Sequence, residues 1–264
     1  MTRLELEGRD VVGIRAANPG PFSLTGTNSW IIGRDPAWLV DPGPALGEHV
    51  AALLEELEAR GGLGGIALTH HHADHAEAVP AIRERFPQAA VAAAREHLAR
   101  GRVDTSLSDG AVFGPLTALA TPGHTADHLA FVRDEIAFTG DAVLGEGSVF
   151  ISPDPGALAG YLEALTRLRG LGLALLCPGH GPVIGDPAAK LDEYIAHRLD
   201  RERRLEAALA TGKRSARDLL DAAWNDVPAE LRPAATVTLA AHLDKLDDEG
   251  SLPAGVERPR RELP

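Results

Sequence analysis

Apolar positions along the chain fall into short β-prone runs and longer stretches with helical spacing. Trp30-Ile31-Ile32 and Trp38-Leu39-Val40 are runs bounded by Gly, Asn, Asp and Pro, which predicts strands. Over residues 46–60, Val50, Leu53, Leu54 and Leu57 recur at helical intervals until Gly61-Gly62 stops them. Gly65-Ile66-Ala67-Leu68 predicts another strand, residues 76–86 a helix, and residues 90–94 a weak strand. A polar helical segment carrying His97 follows, its histidine read as solvated. Four further strands are expected over residues 116–120, 129–132, 136–139 and 173–176. A helix presenting Tyr161, Leu162, Leu165 and Leu168 on one face precedes the last of them. Past Asp186-Pro187 the character changes to a charged helix over residues 190–209 and helical patterns over 215–224 and 233–249. A Pro- and Arg-rich tail with a short β-like start closes the chain.

Composition bounds what such a chain can be. Its 264 residues, 44% of them apolar, can bury a sizeable core. The N-terminus lacks an apolar signal core and no run approaches membrane-spanning length, so a cytoplasmic protein is expected. A single cysteine excludes an internal disulfide framework, and Cys177 ends an apolar strand, which favours a buried thiol over a ligand. The formal charge of −12 disfavours passive binding to polyanions.

The chemistry concentrates in loops that follow strands. Thr69-His70-His71-His72-Ala73-Asp74-His75 contains His-x-His-x-Asp-His, three imidazoles and one carboxylate within six residues. No core needs that set, whereas neutral imidazole and carboxylate are ligands for a borderline metal such as zinc. One loop cannot close a metal site. Three later strand ends each offer one more group: His124 in Thr121-Pro122-Gly123-His124, Asp141 after Gly140, and His180 in Cys177-Pro178-Gly179-His180-Gly181.

In that order, His70, His72, Asp74, His75, His124, Asp141 and His180 resemble the full ligand set of the metallo-β-lactamase superfamily. The resemblance implies an α/β fold, the αββα sandwich, and a dinuclear centre. One metal would sit on His70, His72 and His124 and the other on Asp74, His75 and His180, with Asp141 bridging. It implies two divalent ions, zinc first, with manganese or iron as alternatives. Asp74 and Asp141 would serve catalysis as well as binding, and Asp41, in the turn Asp41-Pro42-Gly43, would lie beneath the ligands and orient them. His128 is a candidate for a similar supporting role, weighed against a plain buried histidine. Glu77-Ala78 departs from the Gly-Gly common in the family and bears on the floor of the cleft. Residues 142–150 would flank the cleft.

The three C-terminal helices and tail resemble a small winged-helix module. With 140–147, 177–184 and Tyr194-Ile195-Ala196-His197-Arg198, they resemble the β-lactamase-like protein 2 family over nearly the whole chain. A catalytic domain over 1–186 and a winged-helix-like module over 187–264 are expected. That family includes a single-stranded-RNA endoribonuclease, and similar proteins act as thioesterases in polyketide pathways.

The expected activity is therefore hydrolysis by a metal-bound hydroxide. No Gly-x-Ser-x-Gly elbow and no thiol with a histidine partner suggest a covalent protein nucleophile. The favoured substrate is a small ester, thioester or related acyl compound, and the alternative is single-stranded RNA. Residues 1–186 carry 13 basic and 23 acidic side chains, the remainder 13 and 15, and aromatic content is 4%, all of which weigh against an RNA path. His197, Arg198, Arg201, Arg203 and Arg204 could reach substrate, but interleaved Asp200, Glu202 and Glu206 favour a solvated face. The last helix ends Asp244-Lys245-Leu246-Asp247-Asp248-Glu249, so DNA is not expected. Nor is a membrane. The module is expected to pack on the catalytic domain or to form a homodimer.

Overall fold

Side chains alternate across a strand, and here consecutive residues enter different cores. In the computed structural model, which describes residues 2–94 and 103–261, Trp30 and Ile32 face one core while Ile31 between them faces another. Phe131 and Phe138 likewise face inward where Ala130 and Ala137 face out. Such strands belong to sheets covered on both faces.

The first half contributes strands β1 (Thr2–Glu5), β2 (Val11–Arg15), β3 (Asn28–Ile32) and β4 (Ala37–Val40), then helix α1 (Gly47–Ala59) and β5 (Leu63–Ala67). Helices α2 (Ala73–Ala76) and α3 (Val79–Arg85) follow, with β6 (Ala90–Ala93) and β7 (Thr105–Ser106). These strands form one sheet in the order β1-β2-β3-β4-β5-β6-β7, antiparallel as far as β4 and parallel beyond it. A second sheet runs β12-β11-β10-β9-β8, built from β8 (Val112–Phe113), β9 (Leu116–Ala120), β10 (Leu129–Arg133), β11 (Ile136–Gly140) and β12 (Leu175–Pro178). The sheets pack face to face through Trp30, Val40, Phe131, Phe138 and Cys177. Helices α1 and α3 cover the first sheet through Leu53, Leu57 and Ile82. Helix α4 (Ala157–Gly170) covers the second through Leu158, Tyr161 and Leu165. The four layers are the αββα sandwich.

Helix α5 (Pro187–Ala210) leads into α6 (Ala216–Ala223), a 3-10 turn (Ala229–Leu231) and α7 (Arg232–Asp248). It starts earlier than its charge pattern suggests because Asp186 caps it, accepting from Ala189 N–H at 3.0 Å, and Pro187 suits the first helical position. Leu191 and Tyr194 pack on the sandwich, while Leu205 and Leu209 pack with Leu219, Trp224 and Leu243 in a separate core. One helix is thus shared by both cores. Helix α7 is buried around most of its circumference and touches both α4 and α6. No described helix is long and apolar enough to cross a membrane.

Three sequence expectations change. The helix expected over residues 76–86 is α3, which starts later, at Val79, because Pro80 suits the first turn and cannot continue a hydrogen-bonded helix from upstream, and a separate short helix, α2, precedes it. The β-like tail forms no strand among the described residues. Pro253 and Pro259 remove backbone donors there, and the tail is tied instead by Glu257 N–H to Arg214 O at 2.8 Å. Strand β12 sits two residues later than expected, in parallel register with β11 from Ile136↔Leu175. His97 lies outside the described residues.

Candidate metal centre

The loops that carry the seven candidate ligands leave the strands at one edge of the sandwich. His70, His72, Asp74 and His75 follow β5, His124 lies between β9 and β10, Asp141 follows β11, and His180 follows β12. This is the end of an α/β sheet where ligands commonly bind. The structure brings them together as two groups, His70–His72–His124–Asp141 and Asp74–His75–His180, the candidate donor atoms of each lying within 4.8 Å of one another.

In the first group His72 Nδ1 lies 3.0 Å from His70 Nε2 and 3.0 Å from His124 Nε2, and His124 Nε2 lies 3.6 Å from Asp141 Oδ2. In the second, His180 Nε2 lies 3.3 Å from His75 Nε2 and 3.3 Å from Asp74 Oδ2. Asp141 Oδ1 lies 3.4 Å from both of those imidazole nitrogens. The two oxygens of Asp141 therefore face the two groups.

The outer nitrogens fix what the inner ones can do. Asp41 Oδ2 accepts from the Thr69 hydroxyl at 2.7 Å, which leaves Thr69 Oγ1 to accept from His70 Nδ1–H at 3.0 Å. Asp41 Oδ2 also faces His75 Nδ1 at 2.8 Å. His124 Nδ1 and His180 Nδ1 each face a backbone carbonyl, of Phe150 and Gly26, at 3.4 Å. Outer N–H groups donating to these acceptors leave the inner nitrogens' lone pairs pointing into the cluster.

Electrostatics agree with a cation site. Burial lowers His70 well below the ordinary histidine range, and holds His72 and His124 at about 4. His75 and His180 go the other way. Burial opposes their charge, but Asp141 with Asp41 raises His75 well above the ordinary value, and Asp141 with Asp74 raises His180 to about 9. Burial opposes charge on Asp74 too, and His180 and His75 outweigh it, bringing Asp74 to about 2. The buried carboxylates draw positive charge into this corner, and a bound cation would supply it. Asp141 Oδ1 is buried without a hydrogen-bond partner, which coordination would satisfy. The residues fit two divalent ions.

Two glycines make the approach possible. A Cβ on Gly179 would lie 2.7 Å from both Asp141 Oδ1 and His75 Cε1. Gly140, at φ +47°, would bring one within 2.6 Å of Thr69 Oγ1.

Of the other sequence candidates, Asp41 lies beneath His75 as described. His128 is buried, accepts from Asp141 N–H at 3.0 Å and stacks on His70 at 5.1 Å between ring centroids. It is a buried, hydrogen-bonded histidine in contact with two candidate ligands. Cys177 is buried in the inter-sheet core. The solvated face expected for the α5 cations is corrected in part. Arg203 and Arg204 are exposed, but Arg198 and Arg201 are buried, because they share the inward stripe of Tyr194 and Leu205 at helical spacing.

His197 and Arg198 line a cavity of about 270 Å³ that reaches His124 and Asp141. Its apolar walls include Phe22, Leu144 and Phe150 from the sandwich and Trp224, Val227 and Leu231 from the C-terminal module. Phe150 meets His124 edge-on at 4.7 Å. Leu144 and Phe150 lie in the 142–150 segment expected to flank the cleft, whereas sequence reasoning missed Phe22 and the walls from the module, and it missed Thr27, whose hydroxyl donates to Asp74 Oδ2 at 3.2 Å. A lone threonine and scattered apolar residues carry no local signature of such roles.

Fold and cluster together define a metallo-β-lactamase-type hydrolase. The metallo-beta-lactamase superfamily model matches residues 23–105 and 94–180, and the model of the beta-lactamase associated winged helix domain matches 215–252. The chain belongs to that superfamily. It is 33% identical to a beta-lactamase-like protein 2 homolog of Caenorhabditis elegans, over 91% of this chain and 85% of the relative. It is 36% identical to an atrochrysone carboxyl ACP thioesterase of Aspergillus chevalieri over 75% of this chain, and spans 65% of that relative's length. The crystal structure of a beta-lactamase domain protein from Burkholderia ambifaria shares the fold, with a TM-score of 0.78 at 22% identity over 98% of this chain and 93% of that one.

Proposed function

We propose that this protein hydrolyses a small ester or thioester with two divalent ions, zinc by preference, held by His70, His72, His124, Asp74, His75, His180 and the bridging Asp141. Nitrogen and oxygen donors suit zinc and leave manganese and iron as alternatives. The catalytic unit is residues 1–186 and the module is residues 187–264. The observation that carries the reading is the apolar cavity of about 270 Å³ opening on His124 and Asp141. A mainly apolar cavity suits an acyl group better than a polynucleotide, which needs a cationic path with stacking surfaces. Arg198 and Arg201 face inward, and the exposed Arg203 and Arg204 are each paired with Asp200, so α5 offers no continuous cationic track.

When bound, the ions lower the pKa of a water and polarise the substrate oxygen. The chain's own groups do the rest. Asp74 accepts from the Thr27 hydroxyl, and its carboxylate orients the attacking water by accepting a hydrogen bond from it. Phe22, Phe150 and Leu144 hold the acyl group and exclude bulk water.

Metal-loaded protein should hydrolyse members of a short- and medium-chain acyl thioester panel. An Asp74→Ala, His75→Ala double variant, run as the contamination control, should not. Cutting of labelled single-stranded RNA by the parent alone, with no thioester turnover, would replace this reading with an endoribonuclease.

A further inference from the structure

Arg198 is 2% exposed, yet among the described residues it has no carboxylate partner. Its Nη2 donates to Val149 O, its Nε has no hydrogen-bond partner, and its guanidinium lies 5.5 Å from the centre of the Tyr161 ring. Its neighbour one turn on shows the usual arrangement: Arg201 makes a two-pronged pair with Asp226 at 2.6 and 2.9 Å. Arginine keeps its charge in proteins, and a buried charge is costly unless an anion meets it. Arg198 also lines the cavity that reaches His124 and Asp141, whose walls are otherwise mainly apolar.

We propose that Arg198 is the anchor for a carboxylate on the substrate, so that the cavity takes an apolar acyl group bearing a carboxylate away from the scissile bond. This rests on the acyl-hydrolase reading and narrows it. A guanidinium receives a carboxylate through parallel N–H donors. The competing anion is a phosphate, and the cavity disfavours it. Glu146 also lines the space, while Asp226 there is already paired with Arg201, so a dianion would meet the Glu146 carboxylate with only the Arg198 guanidinium to offset it. The C-terminal module closes the opposite wall with Leu231 and Val227, which gives it a part in substrate selection.

The test is calorimetric titration of zinc-loaded, full-length protein with octanoate, octanamide and octyl phosphate. The parent should bind octanoate at least tenfold more tightly than octanamide and more tightly than octyl phosphate. Arg198→Gln should erase the preference for the acid and leave octanamide within about twofold. Leu231→Trp, which fills the cavity from the side of the C-terminal module and keeps the guanidinium, should weaken octanoate at least tenfold. Equal binding of acid and amide by the parent overturns the proposal. So does a preference that survives Arg198→Gln, which would place the carboxylate on the metals, or octanoate binding indifferent to Leu231→Trp. Tighter octyl phosphate binding overturns the carboxylate assignment. None of these readouts needs turnover. Protein that prefers octanoate but cleaves no thioester keeps this inference and removes the acyl-hydrolase reading.

Discussion

Asp41 and His75 meet at 2.8 Å between Oδ2 and Nδ1, both side chains buried, with Asp41 also accepting from the Thr69 backbone N–H and hydroxyl at 2.8 and 2.7 Å. One carboxylate thereby fixes the ring of His75 and, through the Thr69 hydroxyl, that of His70. Asp41 adopts φ +52°, an unusual backbone angle for a residue other than glycine, to aim it there.

Asp41→Asn keeps the shape and removes the charge. Loss of such supporting partners costs about 10–100-fold in metal affinity, and a loss of that size is expected here. Competition with a chromophoric chelator measures it. Affinity within twofold of the parent would show that backbone and packing alone orient His75.

Gly179→Ala tests the closeness of the second ligand group. Its added Cβ would lie 2.7 Å from Asp141 Oδ1 and His75 Cε1, and the backbone there is not left-handed, so the fold should accept alanine. Metal content should fall, with the far-ultraviolet spectrum unchanged. A full complement of two ions per chain would mean that the His180 loop yields readily.

The clustering of the seven candidate ligands was legible in the sequence because metal coordination demands rare residue types at fixed spacings after strands. The strands were legible because an αββα sandwich buries its sheets on both faces, which turns Trp30-Ile31-Ile32 and similar stretches into unbroken apolar runs. What was not legible depends on distant packing. Arg198 and Arg203 look alike in a charged helix, and only the stripe shared with Tyr194 and Leu205 separates a buried guanidinium from a solvated one. Phe22, Phe150 and Leu231 become one cavity only when the module docks. The later start of α3 was signalled by Pro80 in its first turn, which the sequence reading did not use.

Stability should fall on the acid side through His49, a buried histidine outside the ligand set. Burial lowers its pKa to about 4, against an ordinary 6.5. Its Nε2 lies 3.0 Å from Ser29 Oγ and 3.1 Å from Pro42 O, and its Nδ1 has no partner. The folded state holds it neutral while the unfolded chain takes up a proton. The stabilisation is complete above pH 6.5 and is lost as pH falls from 6.5 towards 4. One proton gives a slope of about 1.4 kcal/mol per pH unit. Urea unfolding of chelator-treated protein across this window should be less steep in pH for His49→Gln by roughly that amount. An unchanged slope would mean that His49 titrates alike in both states.

Thr238 ties the C-terminal module to the cleft. Its Oγ1, on α7, accepts from the Ile151 backbone N–H at 3.1 Å, and both residues are buried. That N–H lies just past Phe150, which forms a cavity wall and contacts His124. Thr238→Val preserves volume but leaves the N–H without a partner, at a cost of about 1–3 kcal/mol. For a chain of this size the melting temperature should drop by several degrees. If the module shapes the acyl site, KM for a thioester substrate should rise severalfold in the same variant while metal content stays at the parent level, because none of the seven candidate ligands lies on α7. A lower melting temperature with unchanged KM would reduce the module to a stabilising cap, and loss of metal would mean that the 142–150 segment, through the Phe150 carbonyl facing His124 Nδ1, supports the centre itself.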